Sequence, residues 1–191
     1  MTSTKQRLIE TSADLFQRQG YAGTGVKQIV EAAQAPFGSM YHHFPDGKAQ
    51  LGAETLRWSG AQYGLLIDLV YGSEPDVVAA TRLFFEAAAD TVRDTDYADA
   101  CPIATVALEV ASTSEPLRAA CAEVFEDWLA VLDRYLRDGG VADEIVRPTS
   151  EALFCLLEGA FLLARVTRDD GAVRRAGVIA VSTVSAAIGS D

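Results

Sequence analysis

Apolar residues recur along nearly the whole chain at the 3.6-residue spacing of an α-helix, and no useful length alternates as a β-strand does. In the first segment Leu8, Ile9, Ser12, Leu15 and Phe16 form one helical stripe. Ser3 and Thr4 are candidate N-caps for it, and Gly20 followed by Tyr21 suits a left-handed stop. Val26, Ile29, Val30 and Ala33 give a second stripe after Thr24-Gly25. A third, short helix is expected from Pro36 to Phe44, since proline is favoured in a first turn. Pro45-Asp46-Gly47 then opens a long fourth helix reaching about Tyr71. Gly72-Ser73, Pro75, Pro102, Ser114, Pro116, Gly139-Gly140, Pro148 and Gly171 punctuate the rest. The spacing predicts an all-α chain of about nine helices.

At 191 residues, with 49% hydrophobic and 23% charged side chains, the chain can bury a core and is neither low-complexity nor disordered. The longest strongly apolar run, Ala152 to Val166, contains Glu158 and Arg165. It is shorter than the ~20 residues of a membrane span, so no membrane association is expected. No basic start followed by an apolar signal region precedes the first helix, which points to a cytoplasmic protein. Cys101, Cys121 and Cys155 are scattered and unpaired in spacing, and read as small buried hydrophobes. The only histidines, His42 and His43, are adjacent and so point about 100° apart on a helix. That argues against a metal site or a catalytic pair. No Gly-rich phosphate loop, nucleophile elbow or paired-carboxylate site is present either, and no cofactor is expected.

Charge is unevenly distributed. The chain carries 16 basic and 27 acidic side chains, a net −11, which taken whole argues against nucleic acid as a partner. Residues 1–59 hold six of the basic and five of the acidic groups, a net +1, leaving 10 and 22 for residues 60–191. Only the first part could approach a polyanion without strong repulsion.

That first part has the order of a helix-turn-helix: a supporting helix, then two short helices joined by a tight turn. On the third helix Met40 and Phe44, four apart, can plug a small core, leaving Ser39, His42 and His43 outward. Gly38 would let the backbone approach a surface, and Phe37 and Tyr41 are neighbours on a flank that could meet a sugar-phosphate chain. Lys48 stands in the first turn of the fourth helix, where the dipole disfavours a cation and the free N–H groups suit an anion. It is either a solvated lysine or half of a phosphate site.

Gly20-Tyr21-Ala22-Gly23-Thr24, Ile29-Val30-Glu31-Ala32-Ala33 and Gly38-Ser39-Met40-Tyr41-His42-His43-Phe44 together resemble the DNA-binding domain of TetR-family transcriptional regulators. The Phe44-Pro45-Asp46-Gly47-Lys48 loop and the stretches Cys101-Pro102-Ile103-Ala104 and Ala107-Leu108-Glu109 resemble its LmrA/YxaF-type branch. The resemblance implies a helix-turn-helix domain over 1–47 and a ligand-binding and dimerisation domain over 48–191. It implies DNA contacts from Thr24, Phe37, Gly38, Ser39, Tyr41, His42 and Lys48, with Thr24, Tyr41 and Lys48 on phosphate. Two positions depart from the family pattern. Phe37 replaces an often basic residue, and Gly25 replaces the hydroxyl usual beside Thr24.

In the acidic part the run Ala152–Val166 is apolar around most of its circumference, so it must be covered on more than one side. A helix from Ala172 to Ile188 offers small residues for close packing. A two-fold pair of these helices would make a four-helix bundle, with Leu153, Leu156, Leu157, Ala160, Ala176, Ala180 and Val184 at the homodimer interface. Aromatic residues among alanines are either plain core or a cavity, and the resemblance favours a cavity for a small-molecule effector. Phe85, Ala88, Ile103, Ala107, Phe125, Trp128 and Phe161 are its expected lining. Glu109, the one acid between Ile103 and Ala111, is either a ligand partner or a surface carboxylate. The expected function is a ligand-responsive regulator of double-stranded DNA, a repressor released by its effector. The competing readings are a small all-α enzyme or ligand carrier, and a DNA binder without a ligand.

Overall fold

The computed structural model describes residues 2–98 and 101–189. Nine helices and no strand are found among them: α1 (Thr4–Gln19), α2 (Val26–Ala32), α3 (Phe37–His43), α4 (Lys48–Ser73), α5 (Val77–Asp94), α6 (Pro102–Val110), α7 (Glu115–Asp138), α8 (Asp143–Thr167) and α9 (Gly171–Ile188). Ser3 caps α1, its side chain accepting the Gln6 N–H, and Gly20 ends it at φ 75°. Pro36 stands at the N-cap of α3, one place before the first turn expected for it. Pro148 does not bound a helix but lies inside α8, which starts at Asp143 with two carboxylates, Asp143 and Glu144, in its first turn. Those carboxylates suit the positive end of the helix dipole, which is why the helix begins before the proline.

The chain forms two compact units, Met1–Gln62 with Cys101–Phe125, and Tyr63–Ala100 with Glu126–Asp191. The first part of α4, α6 and the first half of α7 cluster with the helix-turn-helix. In the first unit α1, α2 and α3 pack together and α6 packs on α1. Leu8, Phe16, Ile29, Met40, Phe44 and Leu51 are almost wholly buried there. Arg7 ties α1 to the α2–α3 turn, its Nε donating to the Ala33 carbonyl at 3.2 Å.

In the second unit α5, α8 and α9 pack on one another. Val173, Gly177, Ala180, Val184 and Ala187 form the buried stripe of α9. Gly177 admits Phe85 of α5 so closely that an added Cβ would stand 2.7 Å from the Phe85 Cβ. By length and composition α9 could cross a membrane; here its inner stripe lies in the core of this unit. Cys101 and Cys121 are buried as expected, and burial pushes the Cys121 thiol up to about 11. Cys155 is exposed, because it belongs to the outer stripe of α8.

Candidate nucleic-acid interface

Helix α3 is anchored by Met40, with Phe44 just past its end, both wholly buried, and turns an aromatic face outward. Phe37 is 56% and Tyr41 51% exposed; their ring centroids lie 6.0 Å apart. His42 is exposed, and Ser39 and His43 are half-buried. The two imidazoles meet edge-on at 5.0 Å, and no cluster of three potential ligands for a metal exists among the described residues. A Cβ added at Gly38 or Gly25 would touch nothing within 4 Å. Neither glycine is demanded by packing inside the chain, so each leaves backbone open to approach from outside.

Two of the expected phosphate contacts have partners inside the chain. Thr24 is fully buried. Its hydroxyl donates to the Gly20 carbonyl at 2.7 Å and accepts from Gln19 Nε2 at 3.1 Å, so it closes the α1–α2 turn. Lys48 folds inward: Nζ donates to the Tyr21 carbonyl at 2.7 Å and sits 4.0 Å from the centre of the Tyr21 ring. Burial lowers its pKa, and the Glu109 carboxylate acts in the opposite sense. A lysine at the positive end of α4 is thus explained by partners inside the chain. Glu109 itself is an exposed carboxylate, not a buried one, and it accepts the Ala22 N–H at 2.7 Å.

A three-helix head whose third helix turns an open face to solvent, continued by a larger helical part, defines a helix-turn-helix regulator. Residues 8–55 match the domain described as bacterial regulatory proteins, tetR family, and residues 77–178 match the transcriptional regulator LmrA/YxaF-like C-terminal domain. The chain belongs to the TetR family of DNA-binding transcriptional regulators, in its LmrA/YxaF-like branch. It is 35% identical to the HTH-type transcriptional regulator YxaF of Bacillus subtilis, over 87% of each chain. It is 30% identical to LmrA of the same organism, over 87% of this chain and 88% of that one. It is 24% identical to the Escherichia coli transcriptional repressor NemR, over 86% and 85% of the two chains. The crystal structure of reduced NemR shares the fold, with a TM-score of 0.83 over 93% of this chain and 94% of that one at 22% identity. The family and these relatives are regulators and not enzymes, which removes the enzyme reading.

The expected cavity residues are divided between the two units. Ile103, Ala107 and Phe125 lie in the first, and Phe85, Ala88, Trp128 and Phe161 in the second. Trp128 is buried, with its ring 6.2 Å from Tyr63 and 6.0 Å from Phe154. A cleft of about 220 Å³ in the second unit has none of the seven, being lined by Tyr71, Pro75, Val77 and Tyr135 with Glu74 and Asp138. Polar groups that the periodicity did not single out are also buried in this unit. Asp133 of α7 pairs through Oδ2 with Arg147 of α8 at 3.0 Å. Its Oδ1 and the Ser150 hydroxyl, one turn beyond Arg147, are buried without a hydrogen-bond partner. A charged residue beside Leu132 on the buried side of α7 was the signal available in the sequence.

Most of the expected dimer residues face inward. Leu153, Leu157, Ala160, Ala180 and Val184 are buried within the single chain, and Leu156 and Ala176 stand at the edge of that buried stripe. Side chains already covered within the chain have little surface left to offer a partner. The open apolar faces lie elsewhere on the same helices. On α8, Cys155, Gly159, Leu162, Leu163 and Val166 are exposed at helical spacing; on α9, Val178 and Ile179 are exposed.

Proposed function

We propose that the protein is a ligand-responsive repressor that binds a palindromic operator as a homodimer and leaves it when a small molecule binds. The α3 face carries this reading: two half-exposed aromatic rings and an open glycine on a helix held from behind by Met40 and Phe44. Phe37 then packs on a thymine methyl, Ser39 and His42 reach phosphates or base edges, and Tyr41 binds phosphate. The outer stripes of α8 and α9 form a four-helix bundle with their two-fold mates, placing two α3 helices about 34 Å apart, one turn of DNA. DNA as partner puts the site of action in the cytoplasm.

The second unit receives the effector, with Asp133 Oδ1 and Ser150 Oγ as buried polar groups able to meet it. Helix α4, whose residues belong to both units, transmits the change to the head. Coupling of ~1–3 kcal/mol lowers operator affinity by roughly 5–150-fold. The test is recovery of sheared genomic DNA by the purified protein at low and near-physiological salt. A few sites sharing an inverted repeat support the reading; capture that vanishes with salt leaves only non-specific phosphate contact. For an effector found by thermal shift, equal affinity for free and operator-bound protein refutes release by ligand, because linkage requires a difference.

A further inference from the structure

The turn between α1 and α2 is held from two sides. From α6, Glu109 Oε2 accepts the Ala22 N–H at 2.7 Å, a contact across 87 positions of sequence. The same carboxylate lies against Gly20, where an added Cβ would stand 1.8 Å from Oε1 and where φ is +75°. The backbone conformation calls for glycine there, and the absence of a Cβ leaves room for the carboxylate. From α4, Lys48 Nζ donates to the Tyr21 carbonyl at 2.7 Å. The Tyr21 ring is also close to Gly52 of α4, where a Cβ would meet its Cε2 at 2.9 Å.

This turn is what aims α2. Gly25 stands at the N-cap of α2 and offers no side-chain hydrogen bond, so the entry is set by what precedes it. Thr24 supplies two bonds back into the turn, its hydroxyl to the Gly20 carbonyl at 2.7 Å and its N–H to the Tyr21 carbonyl at 3.2 Å. A grip on Ala22 therefore fixes α2, and through their packing α3. Glu109 falls in the stretch matching the LmrA/YxaF-like domain and Ala22 in the stretch matching the tetR domain. Each family segment thus supplies one half of the contact.

We propose that Glu109 is a positioning residue for DNA recognition: its carboxylate latches α6 to the α1–α2 turn and holds the helix-turn-helix in its operator-binding orientation. The proposal rests on the regulator reading above. With the latch open, α3 keeps its side chains but loses its fixed aim, so specific binding weakens while non-specific contact persists. A displacement of α6 that withdraws the carboxylate would have the same effect.

The experiment uses full-length Glu109→Ala and Glu109→Gln. It measures hydrogen exchange at the Ala22 amide, and the ratio of affinity for a recovered genomic site to that for a scrambled duplex of equal length at matched salt. The ratio cancels the general gain in DNA affinity that follows from removing a negative charge. In Glu109→Ala the Ala22 amide should exchange about tenfold faster and the ratio should fall about tenfold, the scale of one charge-assisted hydrogen bond. Glu109→Gln keeps an acceptor and should retain most of both. An unchanged ratio in Glu109→Ala overturns the proposal even if exchange accelerates, and unchanged exchange overturns the latch itself. A parent protein that recovers no genomic site overturns the regulator reading, and this proposal with it.

Discussion

Replacing Ile179 by aspartate should convert the proposed dimer into a folded monomer. Leu162, Leu163, Val166, Val178 and Ile179 are 62%, 57%, 76%, 68% and 55% exposed in the single chain. Full burial of such side chains contributes ~1.5–3 kcal/mol each, so covering what remains open adds on the order of 1–2 kcal/mol per residue. Two-fold symmetry counts each twice, giving on the order of 10–20 kcal/mol against an association cost of ~4–15 kcal/mol. The surplus is small enough for one substitution to matter. Ile179→Asp removes two apolar contributions, roughly 2–4 kcal/mol, and forces two carboxylates out of water for a further few kcal/mol. The dissociation constant should rise by about a thousandfold or more. The fold should survive, because the inner stripe of α9 is untouched. Sedimentation equilibrium from micromolar to nanomolar protein measures the first effect and circular dichroism the second. Val184→Asp, at a wholly buried position, should instead unfold the chain. A dimer as tight as the parent in Ile179→Asp would refute the assignment of this face.

Tyr41→Ala should weaken operator binding while changing stability by less than about 0.5 kcal/mol, as expected for a half-exposed side chain; unchanged affinity in a gel-shift titration would remove Tyr41 from the interface. Lys48→Ala should do the reverse, costing about 1 kcal/mol in urea unfolding through the lost bond to Tyr21 and leaving the salt dependence of DNA binding as it was. Burial pushes the Tyr71 phenol up to about 12, above its unfolded value of ~10. Its contribution to stability is complete below pH ~10 and lost as pH rises through ~12, so the melting temperature of Tyr71→Phe should fall less steeply than the parent's over that window. Equal slopes would show that Tyr71 is not the titrating group. Gly177→Ala should destabilise by ~1–3 kcal/mol, because its Cβ would press on Phe85; an unchanged unfolding midpoint would mean that α5 and α9 separate freely.

Periodicity predicted about nine helices, and nine are found among the described residues, because each apolar stripe repeats at 3.6 residues; α1, α7 and α9 also stop at a glycine and α3 just before Pro45. Pro148 misled because α8 carries the proline in its second turn, past the first four N–H groups, and gives up the one bond to the Glu144 carbonyl there. The α3 face was legible for a similar reason: Met40 and Phe44 identify the buried side, and the outward residues follow from geometry. What spacing could not carry was direction across elements. Thr24 and Lys48 have the chemistry of phosphate ligands, yet their partners Gly20 and Tyr21 are reached only once the turn is folded. Helices α8 and α9 show the same limit in another form. Each carries two apolar stripes, and choosing which one faces its own core requires knowing where α5 lies. Glu109 was conspicuous as the one acid in its stretch, but its partner lies 87 residues away.

The charge balance of the head bears on how such an acidic chain holds DNA at all. Of its six cations, Lys5 pairs with Glu54 at 2.8 Å and Arg57 with Glu123 at 2.6 Å. Arg7 and Lys48 donate to backbone carbonyls. Lys27 holds Glu31 only loosely, at 3.8 Å with both side chains largely exposed. Arg18, exposed at the end of α1, lacks a partner among the described residues. Two available cations per head give about four per dimer, and at ~0.9 per neutralised phosphate the logarithm of affinity should fall with the logarithm of salt at a slope of about −4. The net charge of −11 adds repulsion that further weakens non-specific association. In the proposed dimer, affinity then comes chiefly from the aromatic face of α3 doubled by the two-fold axis. A slope steeper than about −8 would show instead that phosphate contacts dominate, and that cations now engaged inside the chain are released when DNA binds.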